Sequence, residues 1–290
     1  MKSENRFDKW PDFRFNLEEI AGAIGDYGTL FPIVLGVAIV SNLNLGYILL
    51  FFSAWYIIAG LYYKMPMPMP VEPMKVIGAI VIAGGLNKEE ITASGMILGI
   101  FFLILGFCKC MKFIQEKVPS SVVRGIQMGL ALILFKTSTN FIVKDSVISV
   151  ICITIIILFY IANKFTHLTD ISAIVVLLIG IVIGLLKYGI PQIRILPLPT
   201  LIVTGIQDFV KGGWLLAISQ APLTITNAIL STSLLIQDLI HREVEPDKLS
   251  INIGLMNLTS VPFGGFRCVV VLVVSSTIQV WGKNRWVEHY

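Results

Sequence analysis

Met65-Pro66-Met67-Pro68-Met69-Pro70-Val71-Glu72-Pro73-Met74-Lys75 sets four prolines, a carboxylate and an ammonium between two long apolar stretches. Each proline fixes φ, removes a backbone donor and pushes the residue before it toward an extended conformation. Met65 to Val71 is therefore expected as strand or polyproline II. Pro73 stands where a first-turn proline opens a helix, which Met74 to Ala83 can continue. Broken, charge-bearing backbone at membrane depth is tolerated only where it is buried in protein or lines a cavity. The segment is therefore a candidate ligand-binding element.

The membrane setting follows from composition: 56% of residues are hydrophobic, 14% are charged, and the mean hydropathy is +0.83. An average soluble domain has about 25% charged residues. Apolar runs of about 20 residues place spans at 17–40, 45–63, 73–86, 91–108, 120–143, 146–163, 170–189, 212–236, 249–262 and 266–281. Met1 to Asn16 is polar and charged, shows no cleavable signal pattern and is expected as a cytoplasmic tail. With that end inside, Lys64, Lys109, Lys112, Lys117, Arg124, Lys164, Arg242 and Lys248 fall on inner loops, and fewer Lys and Arg fall outside. The expectation is a multi-pass protein of the cell membrane. Its net charge of +4 needs no nucleic acid to explain it, and no basic stripe with interleaved aromatics occurs.

The four cysteines do not form a framework, and with three scattered histidines they offer no metal-ligand spacing. Met65, Met67 and Met69 alone do not make a copper site. No metal or cofactor is expected. Nucleotide loops, hydrolase elbows and paired catalytic acids are also missing, so the sequence does not read as an enzyme.

Polar clusters interrupt two spans. Gly25-Asp26-Tyr27-Gly28-Thr29-Leu30-Phe31-Pro32 lies in the first, and Ser219-Gln220-Ala221-Pro222-Leu223-Thr224-Ile225-Thr226-Asn227 in the eighth. Each precedes a helix-breaking segment by a similar interval, Pro70 in one case and Pro262-Phe263-Gly264-Gly265-Phe266 in the other. The economical organisation is an internal repeat: a tail at 1–16, a seven-span unit at 17–189, a linker at 190–211 and the start of a second unit at 212–266. Seven is odd, so the second unit is inverted.

An aspartate in the bilayer is costly unless paired, hydrated or protonated, which makes Asp26 a candidate functional residue or a cap on a broken helix. Thr29 is a weaker candidate, because threonine often bonds its own helix. Glu72 and Lys75 are one turn apart and either neutralise each other or act separately. In the second case the unpaired amides of Val71, Met74 and Lys75 form an anion site, to which Lys75 adds a charge, and Glu72 carries a proton. Gln220, Thr224 and Asn227 share one α-helical face, which suits either a solute rich in oxygen or helix-packing contacts.

These residues resemble the molybdate transporter family of the sulfate permease (SulP) superfamily. The likeness rests on Gly25 to Ile33, on Pro66 to Lys75, on Gln220 to Ala228 and on Pro262 to Phe266, and it runs from about Asn16 to Phe266. It implies an all-α polytopic, uracil-permease-like fold of inverted seven-span repeats with core and gate domains, the second repeat being incomplete. An anion would sit between two half-helices, with Gly25, Asp26, Thr29, Pro70, Val71, Glu72, Lys75, Gln220, Thr224 and Asn227 as substrate-binding residues. Glu72 stands where the family typically has Gln. After Phe266 the chain departs from the family pattern, and Val271-Leu272-Val273-Val274 is what a frame change gives from a Gly-Ala-Gly-Gly coding stretch. Residues 267–290 are accordingly expected as an aberrant tail.

The expected function is secondary active transport of molybdate or sulfate across the lipid bilayer. A coupled proton and a homodimer stay open as partners. The alternative expectation is a truncated remnant that transports nothing.

Overall fold

The computed structural model describes residues 30–31, 33–63, 71–74, 77–78, 80–81, 86–117, 142–166, 171–190, 196–240, 243–266 and 268–270, with isolated helical positions at 121, 128, 132, 135 and 139. Its long elements are helices: α1 (33–41), α2 (Leu45–Tyr63), α3 (Lys88–Phe107), α4 (Cys110–Lys117), α5 (Ser146–Thr166), α6 (Ser172–Tyr188), α7 (206–240) and α8 (Pro246–Ser260). Two short strands, β1 (Val71–Pro73) and β2 (Cys268–Val270), complete the described elements. The all-α polytopic architecture expected from the apolar runs is observed. α2, α3 and Ser146–Phe165 are long and apolar enough to cross a membrane; the 19 residues of α2 reach about 28 Å at about 1.5 Å per residue.

Helix ends follow local chemistry. The Glu90 carboxylate accepts the Asn87 N–H at 3.2 Å, and Glu89 and Glu90 sit at the positive end of the α3 dipole. The helix therefore starts at Lys88, ahead of the apolar run at 91. In the same way Asp208 Oδ2 accepts the Gly205 N–H at 2.7 Å. α7 begins at 206, although Asp208 and Lys211 made 212 the expected start.

Lipid tails are as apolar as leucine, so hydrophobicity alone does not bring membrane helices together; close backbone approach and interhelical hydrogen bonds do. α3 and α8 meet through glycine. A Cβ on Gly254 would lie 2.9 Å from Gly99 O, and one on Gly106 would lie 2.8 Å from Asp247 O. On that seam Ser250 Oγ donates to Phe102 O at 2.7 Å. α2 joins the group where Trp55 Nε1 donates to Thr259 Oγ1 at 3.1 Å and Asn252 Nδ2 to the Tyr63 hydroxyl at 3.4 Å. The buried core gathers Val34 and Val37 of α1, Ile48 and Phe52 of α2, Phe102 of α3, Ile229 of α7, Ile253 and Met256 of α8, and also Met74, Ile77 and Phe266.

Two connecting segments are tied to this core. Asp247 Oδ1 accepts the Met111 N–H at 3.0 Å, which holds the start of α4 against α8, and Met111 is fully buried. The extended chain 196–205 crosses the far end of α8, where Ile202 N–H donates to Pro262 O at 2.7 Å. It also meets α2, because the Tyr47 hydroxyl donates to Leu198 O at 3.3 Å. By contrast, α6 has no buried residue, nor does any residue of Ser146–Phe165 fall inside the protein.

Candidate functional site

The broken segments meet backbone to backbone. β1 and β2 pair antiparallel, with Val71 opposite Val270, Glu72 opposite Val269 and Pro73 opposite Cys268. Extended geometry at Val71 agrees with the proline pattern, but Pro73, expected in the first turn of a helix, is the last residue of β1, and the Gly78 N–H to Met74 O bond at 2.9 Å starts the helix only behind it. Proline as the last strand residue is tolerable because it has no N–H to leave unpaired. Met74, Phe266 and Val269 are buried around the pair.

The facing segment begins later than the proline pattern implied. Pro262 lies in the 3-10 turn Val261–Phe263 that prolongs α8. Gly264 N–H then bonds Val261 O at 3.2 Å and Gly265 N–H bonds Ser260 O at 2.9 Å, with Gly264 at φ +84. This is a Schellman closure, in which a left-handed residue ends the helix and glycine avoids the Cβ clash. Gly264 therefore closes the ninth span two residues past Pro262, and the partner of β1 starts beyond Phe266.

α7 supplies the polar half of the site. Its course passes through two π segments, Phe209–Gly213 and Thr224–Ser231, with Pro222 inside the intervening α-helical turn. Pro222 cannot donate to the preceding turn, and the wider π turns recur at functional sites. Hydroxyls secure the widened turn: Ser231 Oγ donates to Thr226 O at 2.9 Å and Thr226 Oγ1 to Pro222 O at 2.9 Å. One turn earlier, Gln220 Nε2 donates to Thr224 Oγ1 at 3.1 Å. Both side chains are buried. Gln220 Oε1 and Ser260 Oγ are buried with no hydrogen-bond partner among the described residues. An unmade bond of that kind costs about 1–3 kcal/mol.

The sequence candidates distribute unevenly over this arrangement. Gln220 and Thr224 are brought together as their spacing implied; Asn227 is half-buried within the π segment, where the α-helical face no longer applies. Val71 and Glu72 lie in β1. Gly25, Asp26, Thr29, Pro70 and Lys75 fall outside the described residues, as do the tail at 1–16 and residues 271–290. Ser260 was not among the candidates. Its signal was its place one turn before a glycine-ended helix.

The site side chains on α7 and α8, Gln220, Thr224, Asn227 and Ser260, are neutral. The ion pairs found among the described residues, Lys88 with Glu89 and Lys248 with Glu245, are exposed at helix starts. Among these residues no group of three His, Cys, Asp or Glu gathers as for a metal.

Broken helices, buried neutral polar groups and membrane-length spans define a polytopic membrane protein. The fold agrees with a solved one: the transmembrane domain of a cyanobacterium bicarbonate transporter, BicA, superposes with a TM-score of 0.58 over 92% of this chain and 76% of that one, at 18% identity. The family profile described as molybdate transporter of MFS superfamily matches residues 18–134 and 212–279, and the chain belongs to that family. Molybdate transporter 1 of Arabidopsis thaliana is 28% identical over 299 residues, 87% of this chain and 65% of the relative. For Molybdate transporter 2 of the same plant the figures are 28% over 301 residues, 85% and 63%. This chain thus spans a little under two thirds of the length of those relatives. Molybdate transporter 1 of Chlamydomonas reinhardtii is 31% identical over 117 residues, 39% of this chain and 22% of the relative. The second family block continues past Phe266 to 279 and so includes β2.

Proposed function

We propose that this protein is a secondary active transporter of molybdate or a related tetrahedral oxyanion such as sulfate. The carrying observation is the buried Gln220–Thr224 pair with an uncommitted amide atom, next to a π segment, in a chain of the molybdate transporter family. Neutral donors suit this task. An oxyanion leaving water needs hydrogen bonds to each oxygen, and a transporter must release what it binds, so a moderate set of amides and hydroxyls serves better than a cage of fixed charges.

In this reading the anion lies between the start of the helix behind β1 and the π segment of α7. The amides of Val71, Met74 and Lys75 meet its oxygens at a positive helix end. Lys75 adds charge, Asp26 and Thr29 with Gly25 and Pro70 line the opposite wall, and Glu72 carries the proton that couples uptake. Gln220, Thr224 and Asn227 complete the shell. Alternating access follows from rocking or elevator-like movement of the α2–α3–α7–α8 body against α5 and α6, in the manner of inverted-repeat, SulP-like carriers residing in the cell membrane with a cytoplasmic N-terminus.

Molybdate and sulfate uptake by a cell lacking its own transporter and expressing this chain tests the reading. Molybdate- or sulfate-dependent accumulation supports it, and none of either anion refutes it.

A further inference from the structure

Gln220 is 2% exposed and Thr224 1%. The 3.1 Å contact between Gln220 Nε2 and Thr224 Oγ1 leaves Gln220 Oε1 buried without a donor among the described residues. A hydroxyl both donates and accepts, so the same contact is made equally well with the amide turned over, the Thr224 hydroxyl then donating to Oε1. What changes is the group that faces the ligand. In one arrangement it is a carbonyl oxygen, and in the other an NH2 with donors to give. Neighbouring hydroxyls do not supply that donor, because Thr226 donates to Pro222 O and Ser231 to Thr226 O.

We propose that Gln220, set by Thr224, selects oxyanions by their protonation state. The inference rests on the oxyanion reading above. When an anion binds, Oε1 takes the Thr224 hydroxyl and the NH2 turns to the anion, and this arrangement satisfies both buried groups. Against that NH2 only an acceptor oxygen fits, which favours an anion whose oxygens are all acceptors. Molybdate, tungstate and sulfate are such anions near neutral pH. Hydrogenphosphate and bicarbonate carry an O–H that needs an acceptor, and against an NH2 it leaves a buried donor unmatched. Thr224 is a positioning residue in this scheme, since it fixes which amide atom faces the ligand. Without its hydroxyl proton the amide is free to present either atom, and discrimination falls.

The test is a binding titration of the full chain in lipid nanodiscs at slightly alkaline pH, using sodium molybdate, sodium sulfate and sodium hydrogenphosphate separately. The wild type is expected to prefer molybdate and sulfate over hydrogenphosphate by about tenfold or more. Thr224→Val, which keeps the shape, is expected to lose most of that ratio, and Thr224→Ser to retain it. Thermal unfolding of each variant within a few degrees of wild type assigns the change to the site. An unchanged ratio in Thr224→Val overturns the inference alone. So does equal affinity of the wild type for sulfate and hydrogenphosphate. No binding of any of the three by the wild type overturns the oxyanion reading together with it.

Discussion

α3 and α5 are both apolar helices of membrane-spanning length, 20 and 21 residues, yet half of the α3 window is buried inside the protein and none of the α5 window is. Hydropathy is therefore not what separates them. α3 carries Gly95, Gly99 and Gly106, each in close approach to α8 or the turn that follows it, and it receives the Ser250 hydroxyl on Phe102 O. α5 is rich in β-branched residues and faces outward. The contrast extends to the family match, which covers α3, α8 and α7 from residue 212 onward and omits residues 135–211, where α5 and α6 lie. Glycine spacing alone is not decisive: Gly180 and Gly184 of α6 repeat the interval of Gly95 and Gly99, but a Cβ on either would meet nothing within 4 Å. Small residues matter where a second backbone arrives.

The largest expected effect comes from making the same substitution in both regions. Gly254→Leu drives a side chain into Gly99 O and Leu103, and overpacking of this kind costs about 1–3 kcal/mol or more. It should lower the unfolding temperature in detergent and broaden the size-exclusion peak, whereas Gly184→Leu should leave both unchanged. Equal behaviour of the two variants would break the comparison. Next in size, Ser250→Ala removes a buried donor from Phe102 O and should cost about 1–3 kcal/mol. Thr154→Val on α5 loses only an exposed bond to its own helix, to Val150 O, and should stay within about 0.5 kcal/mol. Denaturation of the two proteins side by side sharpens the point.

A smaller loss, about 1 kcal/mol, is expected from Asp247→Ala, which frees the Met111 N–H. Proteolysis between α3 and α4 should then speed up while the rest of the core stays resistant. The weakest is Tyr47→Phe, because its bond to Leu198 O is long at 3.3 Å. A few tenths of a kcal/mol is the expected cost, read as slightly faster hydrogen exchange in 196–205.

Much of this was legible beforehand for physical reasons. α2 falls at 45–63 as expected, and α5 and α6 lie within three residues of their expected ends, because clean apolar runs there stop at polar or charged residues. The proline alternation accounts for extended chain at Val71, whereas pairing with β2 carries the strand on through Pro73, where a helix start is expected from the sequence. The spacing of four between Gln220 and Thr224 foretold their contact. Other features had no local cause to read. Pairing of β1 with β2 joins segments far apart in the chain, and side-chain periodicity does not encode which backbones meet. The π turns of α7 depend on Pro222 and on hydroxyls finding carbonyls five residues back. Pro262 heads a helix-breaking segment in the sequence, yet it sits inside the turn that prolongs α8, and Gly264 beyond it is what closes the helix. Ser260 escaped notice because an unpartnered hydroxyl becomes informative only when its burial is known.

The central claim is that the anion is handled by the α2–α3–α7–α8 body and, within it, by Gln220. Labelled molybdate uptake into proteoliposomes holding the wild type or Gln220→Ala tests it most directly. The account predicts accumulation by the wild type and uptake at least about tenfold slower in the variant, with matching unfolding temperatures. Equal uptake by both proteins, or none by the wild type, would contradict it.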